Sequence, residues 1–459
     1  MSFEKVKYVY FIGIGGIGMS ALARYFQSLG KKVYGYDRNS SELTIKLNED
    51  GVLVQYHDEI GFLEQQLSNW NADNLLVIHT PAVPTTHPHY LFFRRHGFEI
   101  VKRSKVLGDI SRGIPTIAVA GTHGKTTTST LLTHILRDAG RDCIAFLGGV
   151  ALNFDTNFIQ GNDLMVVEAD EYDRSFLTLF PESAIITSLD PDHLDIYGSY
   201  LEMQQSYLTF AKQVNETGAL IVHQSIAGII RKARNCQTYS LSPGADFYAK
   251  NIQMNEGFYS FDFVTPTETW SNLSFSFPGL HNLENAIAAS AQAYLHGIRE
   301  WELKNALQSF KGVKRRFECH FNSNSVVYFD DYAHHPEELK ACINSIRELY
   351  PNQIISGIFQ PHLFSRTKDF ALDFAKSLDL LDRCFLLDIY PARENPIPGI
   401  DSSLLLDLMN LSDRKLIGAD EVKQVIGNKP SGIWLTLGAG DIDHLVPIIT
   451  QHLKDTVQG

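Results

Sequence analysis

Gly121-Thr122-His123-Gly124-Lys125-Thr126-Thr127 is the stretch whose residue types and spacing most directly imply chemistry. Its glycines let backbone N–H groups turn inward on phosphate oxygens, Lys125 adds a mobile cation, and Thr126 offers a hydroxyl to Mg2+. These seven residues are expected to hold a nucleoside triphosphate. An apolar run at 117–120 and an apolar-periodic segment reaching Leu136 flank them, which predicts strand, tight loop and helix. Val119 stands where the longer G-x-x-x-x-G-K-[ST] pattern requires glycine, so only the short G-x-x-G-K-T spacing is present.

A second constellation is Val166-Val167-Glu168-Ala169-Asp170-Glu171, which ends an apolar strand in carboxylates. Carboxylates are hard oxygen ligands suited to Mg2+, and Glu168 is the expected metal ligand. Asp190-Pro191-Asp192-His193 ends a further strand, where His193 could ligate a metal or position phosphate. His281, Asn282 and Asn285 stand at a helix start after Phe277-Pro278-Gly279. Asn282 there could cap the helix, and amide side chains can also read an adenine edge. Arg315 and Arg316 lie at a basic hinge from which a guanidinium could stabilise charge in phosphoryl transfer.

Near the N-terminus, Gly13-Ile14-Gly15-Gly16-Ile17-Gly18 forms a G-x-G-x-x-G turn between a predicted strand (6–13) and helix (19–29), and Asp37 ends the next strand. Such a βαβ unit holds a diphosphate, with the acid on a ribose hydroxyl; NAD and a UDP-sugar both fit the turn. Towards the C-terminus, Asp330-Asp331-Tyr332-Ala333-His334-His335 and His362 to Arg366 terminate two strands. An arginine there could clamp a carboxylate and an acid could hold an ammonium. The paired histidines lack further close ligands, so no zinc site is expected.

These groups need several lobes to position them. A chain of 459 residues exceeds one ordinary core and points to about three domains. Apolar runs at 75–80, 99–101, 164–169, 183–189, 325–329, 353–359, 383–387, 415–417 and 432–437 read as strands, mostly separated by helical patterns. Residues 247–277 alternate as antiparallel strands do, 283–297 reads as a helix, 108–115 as a linker and 311–313 as a hinge. The expected fold is α/β in three domains: 1–113 Rossmann-like, 114–312 a P-loop-type ATPase domain with a mixed sheet, and 313–459 Rossmann-like.

Forty Lys and Arg against 52 Asp and Glu give a net charge of −12, which argues against a nucleic-acid binder. Five scattered cysteines with no C-x-x-C spacing indicate reduced thiols and a cytoplasmic protein. Residues 8–23 imitate a secretory signal, but their glycines serve the diphosphate turn better. No other apolar run is long enough to span a membrane, so no membrane insertion is expected.

Taken in order, Gly-Thr-His-Gly-Lys-Thr-Thr-Thr at 121–128, Glu-Ala-Asp-Glu at 168–171, Asp-His-Leu-Asp at 192–195, Pro-Gly-Leu-His-Asn-Leu-Glu-Asn-Ala at 278–286, Lys-Arg-Arg-Phe-Glu at 314–318 and Asp-Asp-Tyr-Ala-His-His-Pro-Glu at 330–337 resemble the Mur ligase family over essentially the whole chain. Phe11 to Ser20 and Phe359-Gln360-Pro361-His362 look most like its alanine-adding branch. The resemblance implies ATP-dependent amide formation with UDP-N-acetylmuramate and L-alanine as substrates. Gly15, Gly16, Ile17, Gly18 and Asp37, with His79 and Thr80, would serve the UDP-sugar. Lys125 matches the phosphate lysine, while Thr126, Glu168 and His193 match metal positions. His281, Asn282, Asn285, Arg315 or Arg316, and Asp331 fall in the nucleotide set; Tyr332, His334, His362 and Arg366 belong to the amino-acid face. Leu363 stands where many alanine-adding members have arginine, which leaves Arg366 as the main carboxylate clamp. Alanine-adding members generally lack the carbamylated lysine of other branches, and Lys212 is not assigned that role. A ligase that recycles a murein tripeptide onto the same UDP-sugar is the alternative within the family; a folylpolyglutamate-synthase-like ligase, an NAD-dependent dehydrogenase and a nucleotide-gated binding protein lie further away.

Overall fold

Short β-branched runs alternating with amphipathic segments build parallel sheets covered by helices. The computed structural model describes residues 3–192, 194–255, 258–392 and 394–457, and three such sheets form. The first contains β1 (Tyr8–Ile12), β2 (Lys32–Tyr36), β3 (Leu53–Gln55), β4 (Leu75–His79) and β5 (Ile100–Lys102), all parallel, in the order β3-β2-β1-β4-β5. Strand order reverses between β1 and β4, which opens a crevice at their carboxyl ends. The glycine turn leaves β1 there and enters the helix Ile17–Ser28.

The second sheet holds β6 (Thr116–Ala120), β7 (Cys143–Ala151), β8 (Thr156–Ile159), β9 (Leu164–Glu168), β10 (Ser183–Ile186), β11 (Leu220–His223), β12 (Gln237–Ser240), β13 (Phe247–Asn255), β14 (Phe258–Val264) and β15 (Thr269–Phe275). Its order is β15-β14-β13-β12-β11-β10-β6-β9-β7-β8, and it is mixed: β6 runs parallel to both β9 and β10, whereas β7 and β8 are antiparallel. The third sheet holds β16 (Glu318–Asn322), β17 (Val326–Asp331), β18 (Ile355–Phe359), β19 (Arg383–Leu386), β20 (Arg414–Leu416) and β21 (Gly432–Leu437), ordered β16-β17-β21-β18-β19-β20. Only β16 pairs antiparallel there.

The chain divides into two compact units, one of residues 1–253, 260–274 and 284–311, the other of 254–259, 275–283 and 312–459. Within the first unit, the first two sheets share an apolar core. Tyr25 of the first helix packs its ring 5.5 Å from Phe146 of β7 and 6.2 Å from Phe158 of β8. Fully buried Asn157 pins the same helix, donating to the Ile17 carbonyl at 2.6 Å and to Ser20 Oγ at 3.0 Å. Among the described residues, no helix is long and apolar enough to cross a membrane.

One expectation is overturned. Residues 108–111 are not linker: they complete the helix Arg103–Ser111, with Gly108 pressed against the Thr178 carbonyl so closely that no side chain fits. Glycine here permits packing of two elements rather than a loop, a use that composition does not distinguish from a break.

Candidate active site

The phosphate loop follows β6, whose neighbours β9 and β10 bring their own carboxyl ends to it. Gly121 (φ +131°) and Gly124 (φ +79°) hold backbone conformations that side chains disfavour, and each is packed so that a Cβ would collide, with Thr187 and with Asn285 respectively. Thr122 Oγ1 lies 2.9 Å from Ser188 Oγ, and the His123 amide donates to the same oxygen at 2.8 Å. The His123 ring is 3.5 Å from the Asp190 carboxylate. The helix Lys125–Asp138 starts at Gly124 with no side-chain cap, so its first amides and its dipole face the loop. Thr126 and Thr127 are buried in its first turn, and Thr128 donates to Asn285 Oδ1 at 3.3 Å.

Lys125 Nζ donates to the Gly121 carbonyl at 2.6 Å, to the Thr122 carbonyl at 3.3 Å and to Glu171 Oε1 at 2.9 Å, with Glu171 Oε2 2.8 Å away in the same ion pair. Burial alone would pull the ammonium pKa down, but the Glu171, Glu168 and Asp170 carboxylates outweigh burial and hold it above the ordinary lysine value. Burial pushes the Glu171 carboxyl up to about 7 against the pull of Lys125. Three carboxylates around one ammonium make a net negative site that a divalent cation would neutralise.

Among the described residues no group of three or more His, Cys, Asp or Glu side chains is arranged to hold a metal ion, so the candidates for Mg2+ are judged by donor chemistry. Thr126 supplies a hydroxyl and Glu168 a carboxylate, both hard oxygens. Gly148 of β7 faces the Glu168 carboxylate so closely that any Cβ would fill the carboxylate's place. His193, expected beside them, lies outside the described residues.

In the same unit, the diphosphate turn is tied to its acid: Asp37 Oδ2 accepts the Gly15 amide at 2.7 Å. Gly13 (φ +90°) packs on Thr80, and His79 pairs with Ile12 across β1 and β4, so β4 brings both residues to the turn. Burial, then Lys102, holds the His79 imidazole below its usual pKa. A Cβ on Gly16 would meet nothing closer than 3.8 Å, so the fold does not require glycine there. Glycine at that point leaves the helix N-terminus, and Ile17 behind it, open to close approach by a ligand.

The second unit gathers the remaining candidates. His281 Nδ1 is 3.1 Å from Ser345 Oγ, and Asn282 donates to the Pro278 carbonyl at 2.7 Å, so its amide braces the loop before the helix Leu280–Leu295. Arg315 donates to fully buried Asp330 at 3.1 Å and to the Gly438 carbonyl at 2.7 Å. Arg316 is 3.7 Å from Glu338 and stands over the Tyr332 ring at 5.0 Å. Arg315 (φ 60°) and Phe317 (φ 52°) are both left-handed, a conformation that costs an L-residue roughly 1–2 kcal/mol. Asp331 is buried, and its oxygens accept the Phe317 and Ala333 amides at 2.7 Å each; burial, against the pull of Arg316, raises its pKa to about 6.

From Tyr332 a row of rings runs to His334 (5.3 Å between centroids), to His362 (6.0 Å) and to Tyr390 (5.7 Å, stacked). Leu363 holds φ +70° ahead of the helix Phe364–Asp369, which carries buried Arg366. Sequence reasoning missed Tyr390, Ser188, Thr187 and the role of Glu171. Only Glu171 had a signal, as the last acid of the run that begins at Glu168.

A lysine-bearing phosphate loop in a mixed central sheet, preceded by a parallel sheet and followed by a mostly parallel one with glycine- and histidine-rich strand ends, defines a multidomain nucleotide-dependent α/β enzyme. The chain belongs to the Mur ligase family. Models of the Mur ligase family catalytic domain, the Mur ligase middle domain and the Mur ligase glutamate ligase domain match residues 8–114, 119–293 and 315–439. The chain is 47 % identical over 449 residues to a UDP-N-acetylmuramate–L-alanine ligase of Christiangramia forsetii, covering 98 % of each, and 44 % identical to one of Parabacteroides distasonis over 99 % of this chain and 98 % of that one. Among solved structures it is similar to the UDP-N-acetylmuramate-alanine ligase MurC of Thermotoga maritima (26 % identity, TM-score 0.83, 98 % and 99 % covered). The murein peptide ligase of Psychrobacter arcticus shares the fold (23 %, TM-score 0.72, 97 % and 98 %).

Proposed function

We propose that this chain joins L-alanine to the lactyl carboxylate of UDP-N-acetylmuramate, using ATP with Mg2+, in peptidoglycan precursor synthesis in the cytoplasm. The observation that carries the choice of substrates is full-length identity of 44–47 % to L-alanine-adding ligases. Residues 1–113 take the UDP-sugar, 114–312 the ATP and 313–459 the amino acid.

A carboxylate does not condense with an amine at neutral pH without activation. The lactyl oxygen attacks the γ-phosphorus and ADP leaves, giving an acyl phosphate; the uncharged amine of alanine then attacks the carbonyl, and phosphate departs with the bridging oxygen. Catalysis of such steps is mainly positioning and charge neutralisation. Lys125 exchanges Glu171 and the two loop carbonyls for phosphate oxygens, and the amides of Gly121 to Thr127 line the β- and γ-phosphates. Thr126, Glu168 and His193 would hold Mg2+, whose charge would offset that of the triphosphate. Asn285, His281, Asn282 and Asp331 serve the nucleotide. Of the two arginines, Arg315 is committed to Asp330, so Arg316 is assigned the transferred phosphoryl group, while Tyr332, His334, His362 and Arg366 receive alanine. The diphosphate of the UDP-sugar falls to Gly15, Gly16, Ile17 and Gly18, its ribose to Asp37, with His79 and Thr80 at the sugar.

The test is phosphate release with ATP, Mg2+ and UDP-N-acetylmuramate, supplying L-alanine, L-serine, glycine or the murein tripeptide in turn. L-Alanine is expected to give the highest kcat/KM, and K125A to lose about three orders of magnitude. Preference for the tripeptide, or full activity of K125A, overturns the reading.

A further inference from the structure

β5 delivers a side chain that the assignments above leave unused. Arg103 opens the helix Arg103–Ser111 directly after β5, at the carboxyl edge of the first sheet where β1 and β4 also end. Its guanidinium packs against Gly18, the last glycine of the diphosphate turn, so closely that a Cβ there would displace it. Gly18 is therefore glycine in order to admit Arg103. On its other side, Arg103 Nη2 donates to Asp170 Oδ2 at 3.2 Å. Ile17, Gly18, Arg103, Gly148, Glu168 and Asp170 line one small cleft of about 50 Å3 within the first unit. Arg103, the one cation in that lining, thus stands between the glycine turn and Asp170, with Glu168 lining the same cleft.

We propose that Arg103 receives the lactyl carboxylate of the UDP-sugar and presents it to the γ-phosphate, releasing Asp170 to do so; this rests on the ligase reading above. The geometry suits an exchange. Arg103 offers five N–H donors in a planar fork that matches a carboxylate bidentately. Among the described residues its hydrogen-bond acceptor is one oxygen of Asp170, a side chain 39 % exposed, and a half-exposed single-contact pair costs little to open. The Arg103 side chain is itself 19 % exposed, so it is reachable from the cleft yet held in orientation by Gly18. A carboxylate bound there would stand beside Glu168, and the guanidinium charge would offset the repulsion that a carboxylate meets on approaching a triphosphate. Lys102, the preceding residue, bridges outward to Asp173 at 3.1 Å and so braces the same two segments without lining the cleft.

The test compares UDP-N-acetylmuramate with UDP-N-acetylglucosamine, the same nucleotide sugar without the lactyl acid, as ligands of wild type, R103Q, R103K and K102Q by calorimetry, alongside kinetics for the first. R103Q is expected to weaken UDP-N-acetylmuramate about tenfold to a hundredfold while leaving UDP-N-acetylglucosamine and the KM for ATP within about twofold. R103K should fall between R103Q and wild type, and K102Q should keep the wild-type ratio of the two ligands. Equal weakening of both ligands by R103Q, or no change in their ratio, overturns the assignment of Arg103 while leaving the ligase reading intact. A wild type that neither binds UDP-N-acetylmuramate nor releases phosphate with it overturns both.

Discussion

Replacing Gly148 by alanine tests the geometry of the strand end proposed to hold Mg2+. An ideal Cβ at this position would lie 2.2 Å from each Glu168 carboxylate oxygen and 2.3 Å from the carboxyl carbon. Ordinary contact for such atoms is roughly 3.4 Å, so the carboxylate must retreat by about 1 Å. Mg2+ tolerates little of this, since its oxygens stay near 2.0–2.1 Å in octahedral array, and a misplacement of about 1 Å costs on the order of 10²-fold in rate, or about 2.7 kcal/mol. Stability should change little. Gly148 is half-buried in β7, its φ is not left-handed, and what it displaces is the far end of a side chain. The assay is phosphate release at saturating ATP, UDP-N-acetylmuramate and L-alanine over a Mg2+ titration, paired with a thermal melt. G148A should lose about 10²-fold in kcat with its melting temperature nearly unchanged. Activity within threefold of wild type would refute the placement of Glu168 at the metal, and joint loss of activity and fold would refute the claim that the glycine serves the site.

The two arginines of the hinge should separate cleanly. R315A breaks an ion pair to fully buried Asp330 and should destabilise the protein by about 3–5 kcal/mol in urea unfolding, whereas R316A loses a long 3.7 Å pair to Glu338 and its place over the Tyr332 ring, is expected to cost about 1 kcal/mol, and drops kcat by about 10²–10³-fold. His89 gives a pH signature: burial, then His87, holds this imidazole at about 4, between Tyr10 and the Glu59 carbonyl. The folded chain therefore binds fewer protons than the unfolded one between about pH 6.5 and 4, so this group's contribution, up to about 3 kcal/mol, is complete above pH 6.5 and lost as pH falls through 4. Urea midpoints of wild type and H89Q should converge as pH is lowered across that window; parallel profiles would contradict it.

What the sequence made legible follows from what periodicity and motif spacing encode. The strand–loop–helix around Lys125, the glycine turn with Asp37, and the acids after β9 each depend on neighbours a few residues away, and each forms as expected. The mixed central sheet and mostly parallel third sheet also match their patterns. Long-range partners were not legible. Nothing local marks Thr187 and Ser188 as the residues that seat the phosphate loop, Tyr390 as the ring that stacks on His362, or Arg103 as the cation against Gly18. Gly108 misled because a glycine that admits the Thr178 carbonyl is indistinguishable in sequence from one that ends a helix. The contact of Tyr25 with Phe146 and Phe158, which joins the first two sheets, links residues over a hundred positions apart, beyond the reach of any periodic pattern.

The central claim is that a carboxylate is activated by phosphoryl transfer before the amine attacks. UDP-N-acetylmuramate carrying ¹⁸O in both lactyl carboxylate oxygens, incubated with enzyme, ATP, Mg2+ and L-alanine, tests it directly by mass spectrometry of the released phosphate and of the amide product. The account predicts one ¹⁸O in each phosphate and one retained in each amide, with phosphate and amide formed in equal amounts. Unlabelled phosphate, or phosphate released without amide, would contradict it.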